Sequence, residues 1–309
     1  MKGPVMTDLA ATTPSLPGRR SSLDSIGLGA MVAAVIAISW SPIMIRFTDI
    51  GPAGSAFWRL MFALPVLLLW TRGERLPFGS VARRGPLTGE GLLAAITAGV
   101  AFAADLAFFH AALPLTSVAN ASFIANLAPV VAVLAAFLLL GERASLKVVF
   151  ALGIALVGVA ITSGVLQHGM SIRQGDILAV GAALSYAIYL VAIRLARATR
   201  SAANVTLVST TVAAMVLLSM AVIDGGPLLP HSVQGWLVVI GLGLVCQVLG
   251  QGLSAVGIGR LSSSIVALLL LAHPVASAVI AWFVFGEAVG FDQMIGGALI
   301  LGAVVLARR

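Results

Sequence analysis

The chain has 309 residues, of which 60 % are hydrophobic and 9 % charged, with a mean hydropathy of +1.10. Soluble domains carry about 25 % charged residues, so so few charges cannot cover this much apolar surface in water. That excludes a soluble globular protein and leaves an integral membrane protein. The formal net charge of +7 then reads as an orientation signal on connecting loops, with no nucleic-acid partner implied.

Residues 1–24 are rich in Pro, Ser, Thr and Gly and are expected to form a disordered cytoplasmic tail. Arg19-Arg20 precede an apolar stretch, but no clean small-residue cleavage site follows, so they read as a topology anchor and not an export signal. Ten apolar stretches come next, each near the roughly 20 residues that cross a bilayer. They fall at 25–47, 52–70, 91–112, 116–140, 145–163, 176–196, 203–223, 234–256, 261–285 and 290–307. With the N-terminus inside, nearly all Lys and Arg lie on inner loops and tails, while Arg46 and Arg173 lie outside and Arg59 within a span. This bias puts both termini in the cytoplasm of a multi-pass protein, taken to sit in a bacterial inner membrane. The one cysteine, Cys246, rules out an intrachain disulfide.

A phrase recurs 145 residues on. LAPVVAVLAAFLLLGE carries Pro129, Gly141 and Glu142, and LAHPVASAVIAWFVFGE carries Pro274, Gly286 and Glu287. The glycines that follow are spaced alike, Gly153 and Gly158 in one copy, Gly297 and Gly302 in the other. Residues 25–163 and 175–307 thus read as two five-helix repeats. Five is odd, so the second copy enters the bilayer from the opposite side, the arrangement of many alternating-access transporters. After Glu142 come Arg143 and Lys147, whereas the matching positions are Ala288 and Asp292. The motif has lost its positive charge where it faces outward. The fold class expected is all-α: an integral membrane bundle of ten transmembrane helices in two inverted five-helix repeats.

Polar residues at membrane depth are functional candidates by default. Trp40 and Ser41 lie slightly outward of centre in the first span, Arg59 near the centre of the second, and Asp105 past the middle of the third. Asn126 belongs to the fourth, Tyr186 to the sixth, Gln247 and Gln251 to the eighth and His273 to the ninth. Trp40 and Tyr186 occupy repeat-related positions and are expected to face one cavity, with Phe102 nearby. Gln247 and Gln251 are four apart and share a helical face; they could contact a solute or hydrogen-bond between helices. Pro129 frees the carbonyl of Ala125 and Pro274 that of Leu270, because proline has no N–H to donate. Such backbone is tolerated at depth only inside protein or beside a cavity. Pro42, Pro129 and Pro274 are therefore candidate hinges, or simple bends. Asp105 could pair with Arg59, bind a substrate amino group or carry a proton. Glu142 and Glu287 are assigned to structure, each capping the helix that follows.

The ten spans and the Pro…Gly-Glu…Gly pattern, with Trp40, Phe57-Trp58-Arg59 and Gly175-Asp176, resemble the drug/metabolite transporter superfamily and its EamA-like family. The resemblance implies secondary export of amino acids or related small metabolites through a central cavity lined by both halves, in contact with membrane lipids. It departs in one place: Arg46 stands nearest to where a lysine is usual late in the first span. No Gly-x-Ser-x-Gly, His-x-x-x-His or ATP-binding motif is present, so no enzymatic role, metal or cofactor is expected. A membrane-embedded binding or lipid-handling protein, or a membrane enzyme, is the alternative.

Overall fold

The computed structural model describes residues 24–74, 89–112, 115–116, 118–142, 145–163, 173–286 and 290–308. The expected tail before residue 24 and Glu287 lie outside the described residues. All regular structure among those described is helical. We number the helices α1 to α10, with a and b for the parts of a broken one. They are α1a (Ser25–Ser39), α1b (Ser41–Ile45), α2 (Pro52–Gly73), α3 (Glu90–Ala112), α4a (Val118–Ala125), α4b (Ala128–Leu140), α5 (Leu146–Thr162) and α6 (Gln174–Thr199). After them come α7 (Ala202–Asp224), α8a (Val233–Gly241), α8b (Gly252–Ile258), α9a (Ser263–Leu270), α9b (His273–Phe285) and α10 (Phe291–Arg308). A π-helical segment, Leu242–Gln251, joins α8a to α8b without a break.

Eight helical stretches are long and apolar enough to cross a membrane. The other two, α5 and α10, are shorter: Leu146–Thr162 and Phe291–Ala307. Seventeen residues in α5 span roughly 26 Å at 1.5 Å per residue. Large apolar side chains point outward along the bundle; Leu138 and Leu139 are 77 % and 72 % exposed, which only a lipid surround makes inexpensive. Small residues line much of the closest packing inside, beside buried large ones such as Leu60 and Ile193. Ala95, Ala98 and Ala103 of α3 are fully buried, so helix backbones approach closely, as packing in lipid favours. A Cβ on Gly158 would lie 2.6 Å from the carbonyl of Gly296, and one on Gly296 would lie 2.5 Å from that of Gly158. These reciprocal glycines let α5 and α10 cross in contact.

The helix pairs repeat. α3 packs along α6 and α7, and α8 packs along α1 and α2, while α2 meets α7 and α5 meets α10. Exchanging the first five helices for the last five maps each pairing onto another of the set. The breaks match too. Leu127 N–H donates to Ile124 O (3.0 Å) where α4a ends, and Ala272 N–H donates to Leu269 O (3.1 Å) where α9a ends. Each bond spans three residues instead of four, and a proline stands at the second position of the helix that follows. Gly141 and Gly286 then end α4b and α9b at φ 64° and 67°, the left-handed conformation glycine takes without a Cβ clash. The pairing of α4b against α9a is not duplicated: no contact of comparable extent joins α4a to α9b.

Candidate functional site

That unmatched pairing leaves room between the halves. A cavity of about 700 Å³ lies there, lined from α1, α2, α3, α4, α5, α6, α8, α9 and α10; ligand sites of roughly 300–1,000 Å³ are usual. Its lining reaches Arg46 past α1b, His110 in the last turn of α3, Ser163 past α5 and Gln293 in the first turn of α10. The cavity therefore opens at the end of the bundle where these termini gather. Inward its lining ends at Val35, Pro129, Gln251 and Leu270, beyond which α4b and α9a pack together.

Three helix breaks meet around the floor. α1 breaks at Trp40, and Ser39 on its near side donates to Val35 O (2.7 Å) and to His273 O (3.2 Å). Ser277 donates in return to Ser39 O (3.1 Å). The first and ninth spans are thus joined at their breaks through backbone carbonyls. On α6, Tyr186 and Tyr189 stack at 5.4 Å, and Phe102 of α3 lies 5.1 Å from Tyr189. Tyr189 donates to Gln251 Oε1 (2.9 Å), and Gln251 and Tyr186 both line the cavity. Gln251 so fixes the aromatic wall through Tyr189.

Arg59 is only 7 % exposed and lines the cavity. Its Nη1 donates to Ser41 Oγ at 3.3 Å, and its guanidinium stands 5.9 Å from the Phe102 ring centre. Asp105 lines the same cavity. The ion pair with Arg59 weighed from sequence does not form: among the described residues none joins them within 4.0 Å. They sit on different helices, α2 and α3, and both face the cavity.

Of the residues singled out by sequence, Ser41, Pro42, Arg59, Phe102, Asp105, Asn126, Pro129, Tyr186, His273 and Pro274 line the cavity. Asn126 is partly spoken for, its Nδ2 donating to Ser122 O (2.8 Å). Two expected residues lie elsewhere. Trp40 is half-buried outside the lining; neighbouring helical positions point about 100° apart, and Ser41 takes the facing one. Gln247 is 2 % exposed and donates to Thr210 Oγ1 of α7 at 3.0 Å. Both glutamines lie in the π segment, where bonds run i→i+5. Four residues apart, they still share a face; Gln247 is taken up by α7, and Gln251, one turn further along, is the one that lines the cavity.

Glu142 also differs from its expected capping role. Ser145 caps α5, accepting from Val148 N–H. The Glu142 carboxylate instead crosses to the second half: it pairs with Arg194 of α6 and accepts from Ser263 N–H (3.1 Å) at the start of α9a. Arg194 in turn donates to Ile258 O (2.9 Å) and Leu261 O (2.7 Å), satisfying carbonyls that a helix end leaves free. This is a latch on the closed end. From sequence Arg194 was only an orientation charge, because its partner is 52 residues away. His110 and Ser277 were likewise missed; neither bears a local signal.

An all-helical membrane protein with such a cavity between its halves has the architecture of a membrane transporter. The chain belongs to the EamA-like transporter family, whose sequence profile matches residues 25–164 and 173–309. It is 31 % identical over 204 residues to an uncharacterized transporter of Archaeoglobus fulgidus, covering 66 % of this chain and 72 % of that one. A WAT1-related, chloroplastic protein of Arabidopsis thaliana is 33 % identical over 94 residues, 30 % of this chain and 22 % of the plant protein. A crystal structure of another protein shares the fold with a TM-score of 0.78 at 20 % identity, over 92 % of this chain and 97 % of that one.

Proposed function

We propose that this protein is a secondary transporter that exports amino acids or related small metabolites across the cytoplasmic membrane by alternating access. The observation that carries the reading is the cavity itself: lined by both halves, open at one end and latched at the other by Glu142, Arg194 and Ser263. In an inverted repeat, the second conformation is the first with the roles of the halves exchanged. The matched helix pairings and matched breaks support ten spans in two such repeats, and the unduplicated packing of α4b on α9a is a difference that exchange would reverse. The Lys and Arg distribution supports a cytoplasmic latch and an open end that faces outward.

Polar and aromatic lining suits small amphipathic solutes: the Phe102–Tyr186 wall for an apolar part, and Ser41, Asp105, Asn126 and Gln251 for hydrogen bonds and charge. The test is flux in liposomes holding the purified full chain, loaded with unlabelled amino acids and challenged with labelled ones outside. Counterflow of at least one amino acid, lost when the same liposomes lack the protein, is the expected result. No amino-acid counterflow, with flux of some other small solute, would leave a transporter and remove the substrate class.

A further inference from the structure

Arg59 is the least satisfied cation in the interior. A guanidinium carries its charge at any accessible pH and presents five N–H donors in a flat fork. Among the described residues one long bond to Ser41 is the only hydrogen bond it makes, and Nε is buried with no partner. Arg194 sets the contrast, engaging a carboxylate and two backbone carbonyls. A buried charge left unpaired is strongly unfavourable. The other ionisable groups of the cavity offer little relief. Arg46, His110 and His273 carry no negative charge, and Asp105 stands beyond ion-pair range. Asp105 itself has no hydrogen-bond partner among the described residues and faces the same space.

We propose that Arg59 is the anchor for a carboxylate of the transported solute, with Asp105 receiving an ammonium group of the same molecule. The two charges are then complementary to a zwitterion, and the shared ligand supplies to each what the protein withholds. Ser41 steadies the fork from one side and the Phe102 ring from another. Planar two-point recognition of a carboxylate is what a guanidinium does and an ammonium does not. A carboxylate-free amine or a neutral solute would leave Arg59 exposed to the same penalty as the empty site. The inference rests on the transporter reading only in taking the cavity as the solute's site.

The test is equilibrium binding to the detergent-purified full chain, separate from flux. The proteinogenic amino acids are screened by thermal shift, and the strongest is compared with its decarboxylated amine and its deaminated acid. The amino acid should bind best, and either truncation should weaken it by about 100-fold. Arg59→Gln should bring the amino acid down to the affinity of the amine, and Asp105→Asn to that of the acid. Arg59→Lys keeps the charge, loses the fork and should fall about 10-fold. Size-exclusion profiles check that each variant is folded. If Arg59→Gln does not fold, the ligand series on the unaltered protein and on Arg59→Lys still decides. An amine that binds the unaltered protein as tightly as its amino acid overturns the proposal, as does an Arg59→Gln protein with undiminished amino-acid affinity. So does a screen in which no amino acid binds. Binding with the stated pattern but no flux in liposomes would keep the site and sink the transporter reading.

Discussion

At the scale of single residues, charged groups here act by crossing between halves. Glu142 is bound through both carboxylate oxygens to the second half, and charge-assisted bonds are worth about 1.5–3 kcal/mol each when little solvated. Partial exposure, 16 % and 28 % for the two side chains, lowers that. Glu142→Gln should therefore shift the balance toward the conformation open at the latched end by roughly ten-fold. A cysteine at Ala132, in α4b beside Arg194, reports it: cytoplasmic thiol reagents should label it faster in Glu142→Gln than in the parent, with Cys246 replaced in both. Equal labelling would make the pair mere fixation. At the open end, Asp49 accepts from Ser232 Oγ (2.7 Å), Ser232 N–H (2.8 Å) and His231 N–H (3.0 Å). The Ser232 hydroxyl, then these amides, hold its carboxyl below the usual 3.8. A depressed value means that the tie is fully present above the unfolded value and lost as pH falls through the folded one. Asp49→Asn should melt earlier than the parent by the same margin from about pH 8 to 5, and the gap should close only below about pH 4. A gap that changes between pH 8 and 5 would show that the Asp49 carboxylate is not the group that makes the tie.

At the scale of elements, the breaks in α4 and α9 are the places that can bend without losing a bond. The carbonyls of Ala125 and Leu270 face positions where Pro129 and Pro274 have no N–H, and both residues line the cavity. Pro129→Ala and Pro274→Ala restore that donor and should stiffen the helices. Turnover by counterflow should slow several-fold while equilibrium affinity stays within about two-fold. Lower affinity with normal turnover would mean the prolines shape the pocket. The crossing of α5 and α10 makes a different demand. Gly158→Ala puts a Cβ 2.6 Å from a carbonyl oxygen, whereas Gly153, on the same helix, has nothing within 4 Å. The first should destabilise by about 1–3 kcal/mol; the second should be neutral or better. Comparable melting losses in both would mean that helix flexibility, not close approach, is what these glycines provide.

For the whole molecule the expectation is orientation. Single cysteines at His231, beside Asp49, and at Arg260, which pairs with Asp24 across the halves (2.7 Å), lie at opposite ends. In intact cells an impermeant thiol reagent should reach the first and not the second, and permeabilisation should expose both. Labelling of Arg260→Cys in intact cells would reverse the latch to the outer side and the direction of the cycle with it.

Much of the architecture was legible because lipid imposes it locally. Length and apolarity set the helical spans, and a proline removes a backbone donor whatever surrounds it, although α2 runs through Pro65 unbroken. The Pro…Gly-Glu pattern even located both helix breaks and both left-handed glycines. Contacts between distant segments follow no such local rule. The carboxylate of Glu142 reads as a helix cap until α6 brings Arg194 against it. Gln247 and Gln251 read as equivalent until α7 brings Thr210 to the first and α6 brings Tyr189 to the second. Arg59 and Asp105 read as a pair until the cavity holds them apart. Composition, periodicity and backbone chemistry act within a few residues and so can be read from the chain. Which polar groups meet is decided by how ten packed helices cross, because only there does a buried charge find its partner or go without one.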